Sequence, residues 1–91
     1  MARMAYSGPF LDELAALPAR DEGEVWAKLA LVESFPGVGS SLVGPSLARA
    51  FGPGCLKVSA AGLDIIYERC GGEGDDELVR VHGVVAQRRV R

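Results

Sequence analysis

The sequence predicts an α+β fold in which an N-terminal helical hairpin packs on a small antiparallel β-sheet, with residues 1–91 forming a single domain. Three observations predict it. Apolar residues recur at helical spacing between Phe10 and Phe35, the period falls to two from Cys55 onward, and a loop-rich connection from Gly37 to Gly54 separates the two regimes. At 48% hydrophobic and 24% charged residues the chain has the composition of a globular domain with a modest core, not of a disordered segment.

Each element follows from local chemistry. Ala2 to Tyr6 reads either as an edge strand or as a frayed end. Ser7, Gly8 and Pro9 then form a helix start: a hydroxyl able to accept an orphan N–H, followed by a proline where its missing donor costs nothing. Asp12 and Glu13 suit the positive end of that helix, Phe10, Leu14 and Leu17 share one of its faces, and Pro18 stops it. Asp21 and Glu24 read as a variant capping box opening a second helix. Val25, Trp26, Leu29, Val32 and Phe35 form its apolar stripe, so Trp26 and Phe35 are expected in the core, and Pro36 ends it. So short a link makes the two helices an antiparallel hairpin.

Within the Gly37–Gly54 connection a short helical turn is expected from Ser46 to Phe51, with Pro45 in its first position. Its glycines do not make a phosphate loop, because the lysine and Ser/Thr of that motif are absent and no strand precedes it. Leu56 and Val58 next alternate with Lys57 and Ser59, and a turn at Ala60, Ala61 and Gly62 leads into Leu63–Arg69. In that second strand Ile65 and Tyr67 face one side while Asp64, Ile66 and Glu68 face the other. Residues 71–77, GGEGDDE, are expected to form an exposed acidic loop that buries nothing. The last strand begins at Leu78, with Val79 and Val81 inward and Arg80 and His82 outward. After Gly83 the alternation breaks, which fits a bulge at that glycine or burial on both faces.

Charge is unevenly distributed. The chain carries a net −2, but residues 78–91 hold four arginines and no carboxylate, leaving six basic and 12 acidic side chains in residues 1–77. A nucleic-acid binder is usually basic overall, so the net charge argues against that role, whereas the segregated basic end argues for it. Two cysteines, Cys55 and Cys70, are too few for a disulfide scaffold and lack zinc-site spacing, so both are expected as free thiols. No apolar run is long enough to span a membrane and no secretory leader is apparent, so a cytoplasmic protein is expected. No cofactor or metal is expected either: the chain has one histidine, no CxxC pair and no dinucleotide fingerprint.

Two helices followed by strands containing LKV, DIIYE and VRVHGVVAQRR resemble the RelE/ParE superfamily of bacterial type II toxin–antitoxin toxins, and HGVVAQRR is most similar to the HigB-type branch. The resemblance runs from about Phe10 to Arg91. It implies the toxin component of a toxin–antitoxin system, an mRNA endoribonuclease that acts on the ribosome without a metal ion by driving a ribose 2′-hydroxyl onto the adjacent phosphate. Carried over by position, it implies that Lys57, His82 and Arg88 are catalytic and that Arg80, Arg89 and Arg91 hold RNA. These residue types suit the task, since guanidinium groups stabilise the charge gained by a phosphorane and histidine changes charge near neutral pH. An acidic antitoxin laid over the basic face is the implied partner, with mRNA on the ribosome as the target and room left for a homodimer. Three departures stand out: Asp64 lies where the family pattern supplies an arginine, no tyrosine follows the basic pair, and the chain is acidic overall, which is untypical of ribosome-dependent nucleases. The same fold is also compatible with a ParE-like inhibitor of DNA gyrase acting through the C-terminal tail, or with a degenerate protein-binding domain.

Overall fold

A computed structural model describes residues 1–87 and contains four strands and three α-helices. The first helix, α1 (Gly8–Ala15), starts as its sequence requires: Ser7 is extended (φ −71°, ψ 155°) and its Oγ accepts the Phe10 N–H at 3.1 Å. Phe10 and Leu14 are its buried residues. No acidic residue lies in its first turn, so Asp12 and Glu13 do not serve the helix dipole, and Glu13 has a different partner described below.

The second helix, α2 (Ala19–Ser34), begins two residues earlier than the expected capping box. Asp21 is already inside the first turn, beside Glu22, and Pro18 precedes the helix with no side-chain cap. The two carboxylates favour the helix through its dipole instead. Val25, Leu29 and Val32 are buried as expected, but the stripe is narrower than the sequence suggests. Trp26 is 37% exposed and packs edge-on against Tyr6 and Phe10 at ring separations of 5.3 and 6.3 Å. Phe35 is 63% exposed, because the helix ends one residue before it and its backbone (φ −135°, ψ 77°) turns out of the helical path. A 3-10 turn at Pro36–Val38 follows, then α3 (Pro45–Phe51), which matches the expected turn to within a residue.

Four strands form one sheet: β1 (Arg3–Tyr6), β2 (Leu56–Ala60), β3 (Leu63–Arg69) and β4 (Leu78–Ala86), in the order β1-β4-β3-β2. The β2-β3-β4 meander is antiparallel as predicted. The two-residue β2-β3 turn places Ala61 (φ 56°) and Gly62 (φ 74°) both in the left-handed region, the pattern of a type I′ hairpin whose twist matches the strands. The expected all-antiparallel sheet is corrected by β1, which pairs parallel to β4 with Tyr6 opposite Val81. A parallel pair needs a long crossover, and the helices and meander between β1 and β4 supply it.

One face of the sheet carries Val58, Ile65, Tyr67, Val79, Val81 and Val84 against Phe10, Leu14, Val25, Leu29 and Val32 of the helices, and this is the core. Each such aliphatic or aromatic side chain contributes on the order of 1.5–3 kcal/mol by leaving water. Tyr67 brings a hydroxyl into this core and satisfies it: Oη donates to the Pro36 carbonyl at 2.7 Å and accepts the Gly39 N–H at 2.9 Å. Burial pushes its ionisation upward from the usual phenol value.

The acidic loop also departs from expectation. Glu77, at 7% exposure, is buried. Its two oxygens take Nε of Arg69 at 2.5 Å and Nη2 at 3.0 Å, a bidentate pair that ties the loop's end to β3. Hydrogen bonding to Arg69 holds the Glu77 carboxyl below its ordinary value.

Candidate functional site

Strand alternation determines what the second face of the sheet carries. With Met4, Tyr6, Val58, Ile65, Tyr67, Val79 and Val81 turned into the core, Arg3, Lys57, Ser59, Asp64, Ile66, Glu68, Arg80 and His82 fall on the face away from α1 and α2. In register, Lys57 stands opposite Ile66, which stands opposite Gly83, and Glu68 stands opposite Arg80. The three predicted site residues within residues 1–87, Lys57, Arg80 and His82, therefore share one face. Arg88, Arg89 and Arg91 lie outside the described residues.

His82 owes its position to a bulge. Tyr67 pairs with Val81 and Ile66 with Gly83, so His82 is the extra residue of β4, the irregularity that the broken alternation around Gly83 signalled. Strand β1 ends at Tyr6, before this point, and leaves the outer edge of β4 open. The residue that caps α1 and one within it close it: Ser7 Oγ donates to the His82 carbonyl at 2.8 Å, and Glu13 Oε1 accepts the Val84 N–H at 3.0 Å. The same Ser7 hydroxyl that caps α1 thus fixes the backbone of the bulge. Gly83 is buried beneath the Glu13 carboxylate and the Phe51 ring, each 3.4 Å from where a Cβ would stand. Phe51 also lies beside the imidazole, ring centres 6.1 Å apart and 30° from parallel.

The electrostatics are internally balanced. His82 Nε2 lies 2.8 Å from Oε1 of Glu68, and the Lys57 ammonium lies 4.0 Å from Oδ2 of Asp64. Both carboxylates are on β3, the strand between those bearing Lys57 and His82. Asp64 is further held: Oδ1 accepts from Ser59 Oγ at 3.1 Å and from the Gln87 amide at 2.9 Å, and that amide also donates to Ser59 Oγ at 2.9 Å. Arg80 is exposed and makes no ion pair among the described residues. A glutamate hydrogen-bonded to one imidazole nitrogen fixes the tautomer and leaves the other nitrogen to exchange a proton, the arrangement general acid–base chemistry uses.

Sequence reasoning placed Lys57, Arg80 and His82 on a common face but missed what holds them. The His82–Glu68 contact spans a strand register that the bulge shifts by one residue, and Ser7 and Glu13 are more than 70 positions from their β4 partners. Only the Ser7 cap and the Gly83 irregularity left a local trace.

The structure is similar to a chain of the intact E. coli RelBE toxin–antitoxin complex, with a TM-score of 0.66 and 20% identity over 96% of this chain and 98% of that one. The sequence itself matches no protein-family model and no curated protein. The chain thus has the α+β, RelE-like fold predicted from its element order, with a mixed four-stranded sheet.

Proposed function

We propose that this chain is the toxin component of a bacterial toxin–antitoxin pair, HigB-like in its last strand, and that it cleaves messenger RNA on the ribosome without a metal ion. The observation that carries the reading is the gathering of Lys57, Arg80 and His82 on the sheet face opposite the core. The RelE-like fold supports it, and the crystallised toxin–antitoxin neighbour supports an antitoxin as the chain's partner, with the basic end as its electrostatic target.

In this reading Arg80 and Lys57 grip phosphates along the sheet, and Arg89 and Arg91 also hold RNA. His82, oriented by Glu68, takes the proton of a ribose 2′-hydroxyl. The 2′-oxygen bonds to the adjacent phosphorus, the bond from phosphorus to the 5′-oxygen breaks, and a proton returns to that oxygen. The products are a 2′,3′-cyclic phosphate and a 5′-hydroxyl end. Lys57 and Arg88 stabilise the negative charge that builds on the phosphorane.

Induced expression in bacteria tests the reading. Wild-type chain should arrest translation and growth, and Lys57→Ala with His82→Ala should relieve the arrest. The pairing of Lys57 with Asp64 and of His82 with Glu68 favours a second reading, a RelE-like domain that keeps its protein partner and has lost cleavage. No growth effect from wild-type chain, together with a stable complex with the product of a neighbouring gene, would select it. A gyrase inhibitor acting through the tail would instead lose its effect on deletion of Arg88 to Arg91, with no RNA cleaved.

A further inference from the structure

Beside the proposed phosphate track, a cleft of about 400 Å³ opens between the start of α3 and the ends of β3 and β4. Leu47, Val85 and Ala86 give it apolar walls, while Ser46, Asp64 and Gln87 put polar groups at its border. A planar heterocycle has this distribution, with apolar faces and a polar edge. Asp64 connects the cleft to the candidate site: it lines the cleft and its Oδ2 faces the Lys57 ammonium 4.0 Å away. We propose that the cleft receives one base of the bound RNA and that Asp64 selects bases bearing an exocyclic amine over uracil.

The selection follows from hydrogen-bond capacity. Asp64 is only 13% exposed and, ionised, accepts hydrogen bonds but donates none. Its Oδ1 is occupied by Ser59 and Gln87, whereas Oδ2 has, among the described residues, the Lys57 ammonium 4.0 Å away. An amine of adenine, cytosine or guanine supplies the donor that Oδ2 lacks. Uracil presents carbonyl oxygens flanking its single ring N–H, and these oppose a carboxylate. A base seated against Asp64 also brings its own phosphate toward Lys57, which an apolar side chain of a protein partner would not exploit.

This inference rests on the RNA-binding reading, and its test separates the two. Equilibrium binding of end-labelled oligo(A), oligo(C) and oligo(U) of equal length is measured at low salt for the wild-type chain. Oligo(A) and oligo(C) should bind about three- to tenfold more tightly than oligo(U), the net worth of one ordinary hydrogen bond. Asp64→Asn, which can donate as well as accept, should level that ratio, and Ala86→Phe, which fills the cleft from an exposed strand position, should level it independently. Equal binding of all three oligomers by wild type would overturn the inference and leave the RNA-binding reading intact. A preference that survives Ala86→Phe would also overturn it and return the cleft to a protein partner. Failure to bind any of the three would remove the RNA-binding reading itself, and the inference with it.

Discussion

Glu68 reaches across from β3 to hold the imidazole of His82, Oε1 to Nε2 at 2.8 Å, although Arg80 and not His82 is its partner in the strand register. The bulge allows this diagonal contact by inserting His82 as an extra residue between Val81 and Gly83. In one contact Glu68 orients the imidazole and brings a negative charge to the face.

Those two roles separate on substitution. Glu68→Gln should bind single-stranded RNA about two- to fivefold more tightly at low salt, with a steeper dependence on salt, since one negative charge leaves the face. The same variant should cleave RNA more slowly, because the amide no longer accepts from the imidazole as strongly as a carboxylate. Fluorescence anisotropy across a salt series, set beside a cleavage assay, measures both.

Glu13 holds the open edge of the bulge through the Val84 N–H. Glu13→Ala removes that acceptor from a part-buried amide and should cost about 1–3 kcal/mol of stability, measured by urea denaturation. Glu13→Gln, which keeps an acceptor oxygen, should recover most of the loss.

Gly39 sits against Tyr67 because nothing larger fits. A Cβ there would stand 2.4 Å from the Tyr67 hydroxyl oxygen and 2.8 Å from its ring. Gly39→Ala should therefore displace the ring or the turn and cost on the order of 1–3 kcal/mol. Tyr67→Phe, which vacates only the hydroxyl and leaves the Gly39 N–H without its acceptor, should cost roughly 1–2 kcal/mol. Denaturation midpoints of the two variants rank them.

The Arg69–Glu77 pair makes stability depend on pH in a definite direction. Glu77 is depressed in the folded state, so its contribution is present above the carboxylate's unfolded value of about 4.3 and is lost as pH falls through the lower folded value. Glu77→Gln should thus be less stable than wild type near neutral pH, and the gap should narrow at acid pH. Thermal melts from pH 7 down to about pH 3 follow the convergence.

Much of this architecture was legible because its signals are local. Ser7 with Pro9, the alternation in LKVS and LDIIYER, and the glycine that interrupts VRVHGVV each fix backbone geometry within a few residues, and each appears as read. Where the reading failed, distant partners decided the outcome. Phe35 carries the spacing of a core residue, yet the turn that brings Pro36 and Gly39 to Tyr67 swings it outward. Glu77 belongs to an acidic run that looks fully solvated, yet Arg69 eight residues earlier gives it a buried partner. At the candidate site the same division holds. Alternation alone turned Lys57, Arg80 and His82 away from the core, whereas the contacts of His82 with Glu68, Phe51 and Ser7 depend on register and on where α3 packs, which no periodicity announces.

The central claim is that the sheet face bearing Lys57, Arg80 and His82 receives RNA. Binding of a labelled single-stranded RNA to the wild-type chain and to the triple variant Lys57→Ala, Arg80→Ala, His82→Ala, both confirmed folded, tests it most directly. The account predicts salt-sensitive binding by wild type and a loss of at least tenfold in the variant. Equal affinity in the two proteins, or no binding by wild type at low salt, would contradict it.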